Sequence, residues 1–243
     1  MKRILVAPLN WGLGHATRCI PIIRELEQAG AEVFLASDGV ALHLLQAEFP
    51  HLPVVELPSY RIRYESANMV WNIGKQLPRI IWAVRREHTE VKRMVQQHQL
   101  QGIISDNRYG CFSEGVNSVL LSHQLHPRIP GRLLNGLANY ILKLVIARFD
   151  TVWVPDIADA PGLAGTLSHG KTVHRDVRYA GILTRMQAYE SEPEYDVAVV
   201  LSGPEPQRSI LEQRLLEQAV FMPHKFIFVQ GKTQTKKHHY AAD

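Results

Sequence analysis

Lys2-Arg3-Ile4-Leu5-Val6-Ala7-Pro8-Leu9-Asn10-Trp11-Gly12-Leu13-Gly14-His15-Ala16-Thr17-Arg18 is the stretch on which the fold turns. Residues 4–9 are apolar without alternation, the pattern of a strand buried on both faces. Two glycines and a histidine follow, and residues 16–28 have the spacing of a helix that Gly30 stops. A strand, a glycine turn and a helix N-terminus make a place where backbone N–H groups favour negative charge and where another group can approach the main chain.

The alternation continues outward. Residues 31–37 read as a second strand ended by Asp38-Gly39, residues 40–49 as a helix closed by Pro50, and residues 53–58 as a short third strand. Strand–helix repetition of this kind predicts an α/β fold with a doubly wound parallel sheet, Rossmann-like in plan. Residues 60–69 read as a polar and aromatic loop, and residues 70–97 as helix, with Pro78 a break or a new start. Residues 101–106, 119–121, 151–154 and 177–181 supply further strands, and residues 130–149 a long amphipathic helix. Residues 1–186 therefore form one domain and the polar residues 187–194 a linker. The pattern restarts with strand 196–201, helix 207–220 and strand 225–229, and residues 232–239 read as disordered. One strand–helix–strand unit cannot bury its own two faces. Residues 195–243 are thus expected to be the opening of a second domain, cut short, and the chain by itself is expected to lack activity.

Composition is that of a globular protein: 243 residues, 46% hydrophobic, 21% charged, net charge +4. Mild basicity fits a phosphate-bearing ligand or an anionic membrane surface better than dedicated nucleic-acid binding. Cys19 and Cys111 have no metal or redox spacing, which favours reduced thiols and a cytoplasmic location. Asn10, Gly12, His15 and Arg18 break the first apolar run too early for a signal peptide, and no run is long enough to span a bilayer.

In an open parallel sheet, ligands bind beyond the carboxyl ends of the strands. That rule selects Asn10 to His15, Asp38-Gly39, Asp106 to Gly110, His123 to His126, and Ser202-Gly203. A dinucleotide fingerprint would need a third glycine where Thr17 stands, yet Asp38 falls near the place of a ribose-binding acid, so that reading stays open beside a plain helix-capping turn. A helix N-terminus disfavours imidazolium, leaving His15 able to accept a proton from a hydroxyl, unless it merely packs at the turn. His15, Asp106 and His123 could be imagined around a metal, but no pair has tight ligand spacing, and no metal is expected. Met69, Val70, Trp71, Ile73, Leu77, Ile80, Ile81, Trp82 and Val84 are interleaved with Lys75, Arg79, Arg85 and Arg86, a pattern that suits an interfacial helix as well as core. Leu133, Leu134, Leu137, Ile141, Leu144 and Val145, with Arg132, Lys143 and Arg148, are a second candidate for an interfacial helix, with a core-facing helix and a solvated basic side the favoured reading.

Four segments carry a resemblance. Gly12-Leu13-Gly14-His15-Ala16-Thr17-Arg18 is similar to the glycine loop plus histidine of the GT-B glycosyltransferases. Residues 122–131 resemble their His-Glu-Gln-Asn segment, residues 179–185 their exit from the first domain, and residues 201–207 their Gly-Gly-Ser-Gln-Gly loop. The nearest subgroup is the bacterial one containing the lipid-II-forming N-acetylglucosaminyltransferase MurG. The resemblance implies two facing Rossmann-like domains, an acceptor side and a nucleotide-sugar donor side. It implies transfer of a hexosyl group from a nucleotide sugar, UDP by preference, to an acceptor hydroxyl, without metal or cofactor and usually with inversion. His15 would be the base, with Asp106 or His123 as alternatives; Asn10, Gly12, Gly14, Arg18, Arg108 and Gln124 would contact substrate, and Ser202, Gly203 and Gln207 the donor phosphates. The expected partners are a nucleotide-sugar donor, a sugar or lipid-linked acceptor, and an anionic membrane touched from its cytoplasmic face; nucleic acid is not among them. Asn10-Trp11 replaces a first glycine pair, and Ser202-Gly203-Pro204 holds one glycine where the family has more. A nucleotide-sugar epimerase of the same fold, or a non-catalytic nucleotide-binding module, is the alternative; the apolar and basic helices favour a transferase, because an epimerase has no acceptor to dock.

Overall fold

The computed structural model describes residues 1–60, 69–171, 173–186, 188–203 and 206–231. The expected loop at 61–68 and the polar tail from 232 lie outside these. The chain divides into two compact units, Met1–Arg185 and Met186–Asp243.

In the first unit the elements run β1 (Arg3–Pro8), α1 (Leu13–Gln28), β2 (Glu32–Ser37), α2 (Gly39–Glu48), β3 (Val54–Glu56), α3 (Met69–His98), β4 (Gly102–Asp106), β5 (Asn117–Leu121), α4 (Arg132–Ile146), β6 (Thr151–Val154) and β7 (Val177–Tyr179). The strands form one parallel sheet in the order β3-β2-β1-β4-β5-β6-β7. Strand order therefore reverses between β1 and β4, where Pro8 lies opposite Asp106. That is the switch point at which such sheets open a crevice for ligand.

Side chains alternate across the sheet, so each central strand feeds two cores. Val6, Leu35, Ile104 and Leu121 meet Cys19, Ile20 and Ile23 of α1 and Leu45 of α2. Leu5, Ala7, Phe34, Ala36 and Ile103 meet Val91 and Met94 of α3 on the opposite face. A third cluster joins Leu120, Val152 and Val154 to Ile146 and Phe149. Apolar runs without alternation thus have their physical reason: both faces are covered.

Two readings are corrected. α3 is one helix of 30 residues that carries Pro78 inside it rather than breaking there. The carbonyl that loses its donor belongs to Gly74, and both residues are exposed, so water can serve it. On α4 most of the apolar stripe does not face the core: Leu133 is 90% exposed, Leu134, Leu137, Tyr140, Ile141 and Leu144 are exposed as well, and the helix touches the third core cluster through buried Ile146 and partly buried Leu142. The second unit holds β8 (Val197–Val200), α5 (Gln207–Ala219) and β9 (Phe226–Val229), with β8 and β9 paired in parallel.

Candidate active site

α1 starts earlier than its periodicity indicates. Gly12 holds the N-cap with φ 78°, a conformation that suits glycine, and Leu13 already opens the helix. His15 is consequently in the first turn of α1, at the helix start where its sequence position put it. At Gly14 an added Cβ would meet nothing within 4 Å among the described residues.

Four side chains converge at the switch point. The Nδ1 of His15 lies 2.9 Å from Oδ1 of Asp106, whose carboxylate is fully buried at the end of β4. Arg18, one helical turn after His15, donates from Nε to Asp106 Oδ2 at 2.5 Å and from Nη2 to Asp106 Oδ1. Its Nη2 is also 2.8 Å from His15 Nδ1, and its Nη1 is 3.2 Å from Nδ1 of His123, which follows β5. The buried thiol of Cys19 donates to Asp106 Oδ2 at 3.8 Å. One carboxylate therefore organises both histidines, directly for His15 and through Arg18 for His123. The ring nitrogen Nδ1 of His15 can donate to Asp106 or accept from Arg18, and each choice sets the state of Nε2. The proton affinity of His123 is lowered by burial first, then by Arg18 and His15, against Asp106 and Asp156.

Arg108 is placed differently from its expected role as a substrate contact. Its side chain has no exposed surface. Nε donates to Glu87 Oε1 at 2.5 Å, Nη1 to Asp38 Oδ1 at 2.7 Å and Nη2 to the Pro58 carbonyl at 2.8 Å. Glu87 also accepts from the Tyr60 hydroxyl and from the Gly110 amide. At Gly110 a Cβ would stand 2.4 Å from the Val84 carbonyl, so this loop sits hard against α3. Both oxygens of Asp38 are taken, one by Arg108 and one by Nδ2 of Asn10 at 3.1 Å. That removes the ribose-binding acid a dinucleotide site would need. Asp38 occupies the N-cap of α2, yet the amide of Ala41 is capped from outside, by Oδ1 of Asn10 at 3.3 Å. Asn10 thus ties the entrance of the glycine turn to α2, and Gly39 leaves it room: a Cβ there would meet Asn10 Nδ2 at 2.4 Å.

The loops after β5 and β6 complete this edge. Gln124 is exposed and its amide donates to Ser122 Oγ. The amides of Leu125 and His126 both donate to the Leu167 carbonyl. Asp156, fully buried after β6, accepts from the amides of Ile157, Leu163 and Ala164 and from the Ser168 hydroxyl. Leu163 and Ala164 chiefly hold its carboxyl well below the ordinary 3.8. The strand-end rule reaches Asp156 as readily as Asp106, but nothing local in the sequence singles it out. Asn107 is also hidden from sequence reading: it takes φ 56°, is 6% exposed, and its Oδ1 has no hydrogen-bond partner among the described residues. Strain and an unmet acceptor beside Asp106 are features that concentrate at binding sites.

Ser202 and Gly203 are exposed after β8 in the second unit, and Gln207 opens α5. Among the described residues, no group of three or more His, Cys, Asp or Glu is placed to hold a metal ion, and no helix is long and apolar enough to cross a membrane. On α3, Leu77, Ile81 and Trp82 are exposed beside Lys75, Arg79, Arg85 and Arg86, with the Arg86 guanidinium 5.4 Å over the Trp82 ring. The side chains of Met69, Val70, Trp71 and Ile73 lie outside the described ones.

No family model matches the sequence, and no curated protein matches it. Solved structures do match. MurG of Acinetobacter baumannii aligns with TM-score 0.50 and 10% identity over 94% of this chain and 60% of its own. The glycotransferase of kitacinnamycin aligns at 0.60 with 13% identity, over 93% and 65%. Phytolacca americana UGT2 aligns at 0.57 with 14% identity, over 94% and 66%. This chain thus spans roughly 60–66% of the length of these three. Sequence identities this low speak to architecture, and the architecture is that of the GT-B glycosyltransferases: a Rossmann-like first domain on a seven-stranded parallel sheet, followed by a strand–helix–strand unit of a second.

Proposed function

We propose that this chain is the acceptor side of a glycosyltransferase that moves a hexosyl group from a nucleotide sugar, UDP by preference, to an acceptor hydroxyl. The observation that carries the reading is His15 in the first turn of α1, 2.9 Å from the buried carboxylate of Asp106 at the switch point. With the ring proton on Nδ1 and donated to Asp106, Nε2 is left with its lone pair, and among the described residues nothing is bonded to it. An imidazole oriented in this way is the arrangement a general base needs to take the proton of an attacking hydroxyl. Asp106 sets the tautomer and steadies the imidazolium that forms. The departing nucleoside diphosphate gains charge, which uncapped amides at a helix N-terminus can meet without a metal. The UGT2 structure holds UDP-2fluoro-glucose and pterostilbene, which supports a nucleotide-sugar donor for this fold.

The exposed apolar rows of α3 and α4, flanked by Arg and Lys, support a second part of the proposal: the enzyme works against an anionic membrane surface, on an acceptor that is lipid-linked or membrane-proximal. An epimerase would have no use for such faces.

Because the chain spans 60% of MurG's length, the test joins residues 1–186 to a complete donor-binding domain. A panel of nucleotide sugars and hydroxyl acceptors is then scored for glycosylated product and nucleoside diphosphate together. Product with inverted anomeric configuration supports the reading. Release of epimerised sugar in place of a glycoside overturns it.

A further inference from the structure

This inference rests on the glycosyltransferase reading and concerns a residue that sequence reasoning placed among substrate contacts. Three nitrogens of Arg18 are directed inward: Nε and Nη2 onto the two oxygens of Asp106, with Nη2 also 2.8 Å from His15 Nδ1, and Nη1 to within 3.2 Å of His123 Nδ1. Its side chain is only 14% exposed. A guanidinium donates and never accepts. A hydrogen bond from Nη1 to Nδ1 of His123 therefore requires that Nδ1 carry no proton, and a neutral imidazole then carries its proton on Nε2. We propose that Arg18 is a positioning residue: anchored on Asp106, it fixes His123 as the neutral Nε2–H tautomer, which presents a hydrogen-bond donor to the diphosphate of the substrate.

The two histidines then have opposite hands at one site. Nδ1 of His15 has a carboxylate acceptor at 2.9 Å as well as Arg18 Nη2 at 2.8 Å, so it can keep its proton for Asp106 and offer a lone pair at Nε2. Nδ1 of His123 has the guanidinium alone among the described residues, so His123 offers a proton donor. Both orientations derive from Asp106, one link away for His15 and two for His123. The charged and titratable groups facing His123 are Arg18 and His15 on α1, Asp106 at the end of β4 and Asp156 after β6. Burial, the guanidinium and the neighbouring imidazole outweigh the two carboxylates, so the ring binds a proton less readily than an ordinary imidazole. The donor is thus a neutral N–H, whose strength does not depend on titration near neutrality. Among the described residues Nε2 of His123 has no partner.

The experiment is a long-range proton–nitrogen correlation spectrum of the histidine rings in the uniformly labelled, unliganded chain at neutral pH, with His123 assigned by its absence in His123→Gln. The expected pattern is a bare Nδ1 and a protonated Nε2. An Nδ1–H pattern in the wild type overturns the proposal, and that result needs no folded variant. In Arg18→Gln the His123 midpoint moves up and the Nδ1–H tautomer becomes populated; Arg18→Lys, which keeps the charge and loses the fork, moves it less. A midpoint unchanged in a folded Arg18→Gln also overturns it. Added inorganic pyrophosphate shifts the Nε2–H signal in the wild type; no shift at saturating pyrophosphate removes the role of diphosphate donor. None of these readouts involves turnover. Failure here leaves sugar transfer standing, and absence of sugar transfer leaves the tautomer result intact.

Discussion

Single buried charges carry much of the order at this site. Arg108 is the cation shared by the buried carboxylates of Glu87 and Asp38, and truncating it leaves both without that partner. Arg108→Met is expected to lower the free energy of unfolding by about 3–5 kcal/mol. Arg3, which pairs with Glu32 at the surface, offers the contrast: Arg3→Met should cost less than about 1 kcal/mol. Urea titrations of the two variants compare these directly. Asp156 gives a pH signature. Its folded-state carboxyl lies below the ordinary 3.8, mainly through the Leu163 and Ala164 amides, so it contributes stability above that pH and loses it as pH falls through the folded value. Asp156→Asn is therefore expected to flatten the acid limb of the stability curve below pH 3.8, followed by thermal melts across pH. The positions of Asp106 at a strand end and of His15 after the glycine turn were legible in the sequence, and the structure brings the two within 2.9 Å. Glu87, Tyr60 and the partner choice of Arg108 were not legible: they meet across separations of 21 residues and more, with no spacing to announce them.

Among elements, α4 was open to two readings from its sequence, and of these the favoured, core-facing one does not describe its apolar stripe. Apolar residues at helical spacing fit a core-facing stripe and an outward one equally well, because periodicity gives the width of a face and not its direction. The helix presents Leu133, Leu134, Leu137 and Ile141 outward, with Arg132 and Lys143 exposed on it. Exposed apolar residues on one helix are what the proposed membrane contact would use. Leu133→Glu with Leu137→Glu is expected to abolish sedimentation with vesicles of phosphatidylglycerol while leaving the melting temperature within about 2 °C, since exposed positions contribute little to stability. Binding retained by the double variant would remove α4 from any membrane contact. Helix α3 shows the opposite outcome for Pro78, where the rule that proline breaks helices gives way to a solvent-facing orphan carbonyl.

At the scale of the molecule, a doubly wound parallel sheet was legible in strand–helix alternation, whereas the order β3-β2-β1-β4-β5-β6-β7 was not, because the same alternation serves more than one doubly wound order. The two units are built to different standards. Val6, Ile104 and Leu121 of the first sheet are buried between layers, whereas in the second unit Val200 is 72% exposed and Val220 and Phe221 are exposed as well. Amide hydrogen exchange is accordingly expected to be slowest in β1, β4 and β5 and faster in β8 and β9 by orders of magnitude, resolved by mass spectrometry of peptides from each strand. Equal protection in both sheets would contradict this.

The account as a whole depends on His15 as the group that takes the acceptor's proton. The measurement that decides it is the rate of sugar transfer by residues 1–186 joined to a complete donor-binding domain, with His15 intact and as His15→Gln, at saturating donor. Loss of a positioned general base predicts a fall of about 10²–10⁴-fold in turnover with donor binding unchanged. Turnover within about twofold of the parent would contradict it, leaving His15 a packing residue at the first turn of α1.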